Sequence, residues 1–319
     1  MSKTVFLTGA AGFIGSHTAK ELLKRGDRVI GVDDFNDYYD VNIKESRVAD
    51  ILDHPNFTLY RADIVDKAEM KAIFEKESIT NICHLAARAG VRYSLLHPDL
   101  YVQTNVVGTM NLLELAKDFG VKHFTMASSS SVYGGNKKVP FSESDPVDHP
   151  ISPYAATKRA TELLGHTYHH LYGLNVSCLR FFTVYGPAGR PDMALFKFTK
   201  AILEGKPIDV YNHGKMKRDF TYVDDIVQGI LGAIDGDWGY AIFNLGNSNT
   251  EELEHFINVL EDALGMKAEK NYMEMQPGDA PMTYADISKA RSMLGFDPKI
   301  GIEEGIPRFV QWYKSYYNV

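Results

Sequence analysis

The sequence is poor in cysteine and tryptophan and short of positive charge. Its 319 residues include 2 Cys and 2 Trp. Cys83 and Cys178 sit in apolar, strand-like runs, "NICHLAA" and "NVSCLRFF". Buried reduced thiols are therefore expected, not a disulfide framework. Lys and Arg number 34 against 41 Asp and Glu, a net charge of −7. That balance argues against general binding to nucleic acid or to an anionic membrane surface. An anionic small ligand would need basic residues gathered locally. No apolar run approaches the roughly 18 residues of a spanning helix, so no membrane span is expected. The strand pattern begins almost at once in "SKTVFLTG", with no signal peptide before it. A soluble cytoplasmic protein is the expectation.

What is present is alternation. Strand patterns at 4–9, 27–33, 57–63, 81–87, 123–129 and 175–182 are separated by helical patterns near 12–25, 66–77, 99–119 and 154–172. Alternation of this kind predicts a doubly wound parallel sheet covered on both faces. After Phe182 the texture changes. A Gly/Pro loop, "TVYGPAGRPD", leads to helices near 193–204, 223–235, 251–264 and 302–316 and short strands near 208–211 and 241–245. We divide the chain into a nucleotide-binding domain, 1–180, and a smaller α/β substrate domain, 181–319. The segment "YAIFNLG" is expected to return to the main sheet.

"TGAAGFIG" places Gly9, Gly12 and Gly15 between the first strand and the first helix. Glycines allow a tight turn and close backbone approach to a pyrophosphate, and a helix N-terminus favours its charge. Phe13 and Ile14 lie inside that turn. Asp33 ends the second strand, placed for a ribose 2′-hydroxyl. Asp34 beside it would repel a 2′-phosphate, which favours NAD over NADP. Turn chemistry is the plainer account of the two aspartates. Asp63, with Ile64, ends the third strand and can reach an adenine. Leu85, Ala86 and Ala87 end the fourth, beneath the cofactor, because ligands of such sheets collect at the strands' carboxyl ends.

"ISPYAATKRA" sets Tyr154 four residues before Lys158 on a predicted helix, so phenol and ammonium share a face. An amphipathic helix with an exposed lysine would show the same spacing. "ASSSSVYGG" after the fifth strand brings Ser129, Ser130 and Ser131 toward the same end. His166, His169 and His170 share one helix, but no Cys or carboxylate cluster joins them, so no metal is expected.

Together the glycine turn, the serine run and the Tyr154/Lys158 pair resemble the extended short-chain dehydrogenase/reductases, over essentially the whole chain. More narrowly, "HLAARAGVRYSLLHP", "ASSSSVYG", "LRFFTVYGPAGRPDMALFKFTKAILEGKPIDVYN" and "GKMKRDFTYVDDI" look like UDP-glucuronate 4-epimerases, a branch of the UDP-sugar epimerases. The resemblance implies a Rossmann-type fold with tightly bound NAD, and interconversion of UDP-glucuronate and UDP-galacturonate through a 4-keto sugar. It implies Tyr154 as base, Lys158 as the cation lowering its pKa, and Ser129 holding the C4 hydroxyl. Asn105 would lie near the nicotinamide end. Ser130, Ser131 and Thr183 would line the sugar pocket, and Arg190 would clamp the uronate carboxylate. Arg88 and Arg218 would meet the diphosphate, Val210 and Tyr211 the uracil, and Asp279 a ribose hydroxyl. Two features depart from neighbouring branches. Ser131 stands where decarboxylating relatives carry Glu, and Gln276 where neutral-sugar epimerases tend to carry Arg. Relatives pair the 99–119 and 154–172 helices across a two-fold axis, so a homodimer is expected. A neutral UDP-hexose 4-epimerase, a UDP-glucuronate decarboxylase-like enzyme and a catalytically silent NAD sensor are the alternatives.

Overall fold

Alternating burial along the early strands sets the architecture. Phe6 and Leu7 are both fully buried, yet they enter different apolar clusters, as do Val29 and Ile30. Successive side chains of a strand point to opposite faces, so a strand apolar on both faces must be covered on both. The computed structural model of the chain describes residues 2–276 and 280–319. Among these, six strands precede residue 182: β1 (Thr4–Thr8), β2 (Arg28–Asp33), β3 (Phe57–Arg61), β4 (Asn81–His84), β5 (His123–Ser129) and β6 (Asn175–Phe181). Five short or late strands carry the rest of the argument: β7 (Thr183–Tyr185), β8 (Ile208–Tyr211), β9 (Lys217–Arg218), β10 (Phe220–Tyr222) and β11 (Tyr240–Leu245). The main sheet is parallel, with order β3-β2-β1-β4-β5-β6-β11. The strand order reverses between β1 and β4, and crevices form at such switch points.

The return of "YAIFNLG" to the main sheet is seen as β11, beside β6. The helices are α1 (Phe13–Lys24), α2 (Val41–Val48), α3 (Lys67–Lys76), α4 (Val91–Leu96), α5 (Pro98–Tyr101), α6 (Thr109–Asp118), α7 (Pro153–Tyr172), α8 (Ala194–Leu203), α9 (Val223–Asp235), α10 (Leu253–Leu264), α11 (Ser288–Leu294) and α12 (Ile302–Tyr317). α1 packs on α9 against one face of the sheet. A separate cluster around Phe196, Ile257 and Phe309 joins α8, α10 and α12 beyond the sheet. No helix among the described residues is long and apolar enough to cross a membrane.

Several boundaries differ from the sequence reading, each for a local reason. β3 stops at Arg61, because Asp63 turns its side chain to accept the Val65 N–H at 2.9 Å. The helix expected over 99–119 is broken by a π-helical stretch, Val102–Gly108, where the Thr109 hydroxyl donates back to the Asn105 carbonyl. Such stretches leave the regular ladder where a side chain is needed elsewhere. α2 was not foreseen. It is only 8 residues long, and its Arg47 holds it by donating to the carbonyls of Ala188 at 2.9 Å and Gly189 at 3.1 Å.

Candidate active site

The β1–α1 turn can exist only with glycine. Gly9 has φ +70, and a Cβ there would lie 2.8 Å from the Ala86 backbone nitrogen. A Cβ on Gly15 would lie 1.9 Å from the Gly9 carbonyl oxygen. The chain thus passes as close as atoms allow to the end of β4, and Ala86 N–H donates to Thr8 Oγ1 at 3.1 Å. α1 begins at Gly12 with no side-chain cap and no acidic residue in its first turn. Its first amides therefore face the crevice with a partial positive charge, which suits a phosphate. Phe13 is buried toward the distal cluster, and Ile14 packs partly buried beside it.

Asp33, expected at a ribose hydroxyl, serves the turn with both carboxylate oxygens. Its carboxylate accepts Ala11 N–H at 3.1 Å and Phe35 N–H at 2.9 Å. Burial pushes its carboxyl above the ordinary value, partly offset by Lys44. The Lys44 ammonium stands 3.9 Å from both Asp33 and Asp34, and Arg88 reaches Asp34 at 3.8 Å. The repulsion expected of Asp34 is thus shared with two cations. Asp63 is exposed at the end of β3, whereas Ile64 is buried beneath it. Leu85, Ala86 and Ala87 are half-buried at the crevice edge. These residues fit a dinucleotide: a side-chain-free cradle, uncapped amides and a carboxylate ending the second strand.

Asn105, expected near the nicotinamide end, is 1% exposed. Its Oδ1 accepts Arg88 N–H at 2.8 Å, and its two amide hydrogens go to the Arg88 carbonyl at 3.0 Å and Thr157 Oγ1 at 3.0 Å. Both donors are therefore spent on protein, and the side chain fastens the loop after β4 to α7. Thr157 Oγ1 in turn donates to the Tyr154 carbonyl.

α7 starts where Ser152 accepts Ala155 N–H at 3.2 Å and Pro153 takes the first helical position. Ser94 Oγ of α4 accepts Tyr154 N–H at 3.2 Å. Burial pushes the Tyr154 phenol up. Ser129 and the nearby Arg190 charge pull it down, but burial prevails and the phenol stays above its ordinary value. Ser129 is thus the serine whose influence reaches the phenol. It also donates to Ser131 Oγ at 3.1 Å, while Ser130 and Ser131 are half-buried beside it. Lys158 Nζ donates to the Ala127 carbonyl at 2.8 Å, and burial brings its pKa down to about 8. In this structure the ammonium is directed at β5, and the forces that set the phenol's pKa are burial, Ser129 and Arg190.

A buried network that the sequence reading missed holds these parts. Glu162 accepts Ser128 Oγ at 2.6 Å, Arg180 Nε at 2.8 Å and Arg180 Nη2 at 2.9 Å. Arg180 Nη1 also donates to the Tyr133 hydroxyl at 3.0 Å. Two signals could have found it. Glu162 lies four residues beyond Lys158, and Arg180 is a lone charge inside an apolar strand.

At the opposite lip, Arg190 donates through Nε at 3.0 Å and through Nη2 to the Asp192 carboxylate, and through Nη2 to the Ala89 carbonyl at 3.3 Å. Tyr38 donates to Asp192 at 3.4 Å. Tyr101 packs edge-on against Tyr154 at 6.0 Å. Thr183 opens β7, its N–H bonded to the Asp219 carbonyl at 3.1 Å. Farther along, the Arg92 guanidinium lies over the Tyr211 ring at 4.4 Å. Val210 is fully buried in the distal cluster, so only its backbone can border a base. Arg218 lies on β9, donating to the Lys217 carbonyl at 2.9 Å. Asp279 lies outside the described residues. Among the described residues no group of His, Cys, Asp and Glu could hold a metal ion. His166 packs on Tyr240, and His169 Nδ1 bonds the Leu174 carbonyl at 2.9 Å.

None of this geometry is specific to one sugar. It defines a class, the extended short-chain dehydrogenase/reductases, in which a nucleotide cradle and a buried tyrosine–lysine helix share one crevice. Comparison narrows the class. Residues 6–309 match the family model described as GDP-mannose 4,6 dehydratase. A UDP-glucuronate 4-epimerase of Thermodesulfobacterium geofontis is 50% identical over 310 residues, 97% of this chain and 95% of that protein. The Bacillus cereus UDP-glucuronic acid 4-epimerase, solved in complex with UDP-glucuronic acid and NAD, is 34% identical with a TM-score of 0.90, covering 98% of this chain and 100% of that one. A Thermotoga maritima UDP-glucose 4-epimerase solved with UDP-glucose is 32% identical with a TM-score of 0.90, covering 98% of this chain and 99% of that one. The chain belongs to this family of nucleotide-sugar enzymes, and within it to the UDP-glucuronate 4-epimerases.

Proposed function

We propose that the chain interconverts UDP-glucuronate and UDP-galacturonate by inverting C4, with NAD as a resident cofactor. The observation that carries this reading is the placement of the Tyr154 phenol beside Ser129 and within range of the Arg190 charge, with Lys158 one helical turn along α7, at the lip of the glycine cradle. The cradle from Gly9 to Gly15, Asp33, Asp63, Ile64, Leu85–Ala87 and Lys158 would hold the cofactor. When bound, NAD accepts hydride from C4 and returns it to the opposite face of the resulting 4-keto sugar.

The chain's own residues handle the proton and the pose. An unperturbed tyrosine, with pKa about 10, is a poor base at neutral pH. Burial holds the phenol above its ordinary value against Ser129 and Arg190, so activation would need the positive charge of a bound nicotinamide together with the Lys158 cation one helical turn away. Tyr154 takes the C4 hydroxyl proton as the bond is oxidised and gives it back on reduction. Ser129 holds the same hydroxyl. Asn105 acts at one remove, keeping Arg88 and the loop after β4 against α7.

A uronate adds a hazard. The 4-keto intermediate is a β-keto acid, which loses carbon dioxide when the scissile bond aligns with the carbonyl π system. The site must hold the carboxylate out of that alignment in both ring poses. We assign this to Arg190, aided by Ser130, Ser131 and Thr183, because guanidinium–carboxylate pairing fixes direction as well as charge. Arg88, Arg92 and Arg218 supply positive field for the diphosphate, and Tyr211 borders the uracil.

A second reading, a neutral UDP-hexose 4-epimerase, is favoured by one observation: Arg190 is already paired with Asp192. Proton NMR of purified protein incubated with UDP-glucuronate separates the two. Conversion to UDP-galacturonate with little UDP-pentose supports the first reading. Conversion of UDP-glucose alone supports the second.

We further propose a homodimer in the cytoplasm. Leu96, Val102 and Met110 on the 91–118 segment and Leu163, Leu171 and Tyr172 on α7 are exposed, the first by 75%. A second copy would cover this apolar surface.

A further inference from the structure

Arginine can grip a carboxylate through its side edge, Nε with Nη2, or through its end, Nη1 with Nη2. In this structure the side edge of Arg190 is taken by Asp192, and Nη2 also serves the Ala89 carbonyl. That accounts for the Nε donor and both Nη2 donors. Two donors on Nη1 remain, and among the described residues none of the hydrogen bonds to Arg190 involves them. Asp192 is fixed in turn by the Tyr38 hydroxyl at 3.4 Å. Tyr38 stacks edge-on with Tyr93 at 4.8 Å. Both members of the pair are 23% exposed at the side chain, so the pair is open to the crevice. Burial pushes the Asp192 carboxyl up, and Arg190 outweighs it, leaving the group ionised.

Epimerisation makes an unusual demand on a carboxylate partner. The sugar must turn over between oxidation and reduction, so the carboxylate must be held, released and held again. A bare, desolvated guanidinium would grip it in one pose and slow the turn. We propose that Asp192 is a positioning residue that tempers Arg190, sharing its charge and confining the incoming carboxylate to the Nη1 side. A uronate is then steered without being trapped, and a neutral sugar enters without stranding a buried cation. The inference rests on the reading of Arg190 given under the proposed function.

The test is a pair of measurements on Asp192→Asn, which keeps the shape and removes the charge. In a Tyr154→Phe background, where turnover is suppressed, calorimetry should show UDP-glucuronate bound about tenfold more tightly than without the Asp192 change. UDP-glucose affinity should move by less than about twofold. With Tyr154 intact, KM and kcat for UDP-glucuronate should both fall. A purely structural role would raise KM or leave it unchanged. Asp192→Glu, which restores the charge, should return the ratio of affinities toward that of the unaltered protein. Uronate affinity that is unchanged or weaker in Asp192→Asn overturns the inference alone. An unaltered protein that turns over UDP-glucose and ignores UDP-glucuronate overturns the functional reading, and the inference with it.

Discussion

Two arginine–carboxylate pairs flank the site, built from the same chemistry and placed under opposite conditions. Arg180 and Glu162 come from β6 and α7, 18 residues apart, and their side chains are 1% and 0% exposed. Arg190 and Asp192 are two residues apart on one loop, each 23% exposed. The first pair has extra partners on both sides, Ser128 and Arg159 on the carboxylate and Tyr133 on the guanidinium. It ties the serine strand to the helix that carries Tyr154 and Lys158. The second has the Tyr38 hydroxyl on the carboxylate and the Ala89 carbonyl on the guanidinium, both at longer range, and is partly exposed. A buried pair is costly to break, because the surviving partner is left as an unpaired charge in low dielectric. A pair that is only part-buried loses less when one partner goes and can reorganise. The difference teaches that the rigid pair fixes the chemistry and the open pair handles the substrate.

The largest effect expected separates chemistry from scaffold. Tyr154→Phe keeps the ring and removes the proton acceptor, so kcat should fall by about 10²–10⁴-fold while the melting temperature stays near that of the unaltered protein. Loss of stability to match would place Tyr154 in the scaffold instead. Next, Glu162→Ala should cost about 3–5 kcal/mol in urea unfolding, by stranding Arg180. Asp192→Ala should cost clearly less than Glu162→Ala, because the surviving Arg190 is partly open to water. Equal costs would erase the distinction between the two pairs.

A smaller effect probes the crevice floor. His84 is buried, bonded to Thr8 Oγ1 at 2.7 Å and Thr109 Oγ1 at 2.9 Å. Burial first, then Lys158, depresses its pKa to about 3. The folded form therefore stays neutral where an unfolded histidine charges. Between about pH 6.5 and 3 the unfolded state binds the extra proton, so stability falls as pH falls, by up to about 1.4 kcal/mol per pH unit from this group. Urea unfolding from pH 7 to 5 should show that slope reduced by one proton in His84→Gln. An unchanged slope would mean that His84 is charged in the fold.

Sequence legibility follows the same division. The nucleotide end is made of backbone geometry over short spans, so glycine positions and strand ends declare it. Gly9, Gly15 and Asp33 act through local turns, and local turns are written in consecutive residues. β11 was legible too, as an apolar run among less regular elements. The Glu162–Arg180 pair was harder, because its partners meet through tertiary packing. Asn105 was placed near the nicotinamide end by resemblance, and its hold on the backbone of Arg88 was not legible, because a backbone partner has no side-chain signature. The hydrogen bonds of Arg190 with Asp192 span two positions, yet nothing in "GRPD" says which side of the guanidinium is used. Asp279, assigned to a ribose by resemblance, lies outside the described residues.

The most direct measurement compares kcat/KM of Arg190→Ala for UDP-glucuronate and UDP-glucose, with products resolved by proton NMR. If Arg190 meets the uronate carboxylate, turnover of UDP-glucuronate should fall by about 10²-fold or more, because a charge-assisted contact is lost. The share of product diverted to a decarboxylated UDP-pentose should rise, since the 4-keto acid is less restrained. Activity on UDP-glucose should change by less than about threefold. Equal loss on both sugars, with no added pentose, would contradict the account and move Arg190 to the diphosphate or the scaffold.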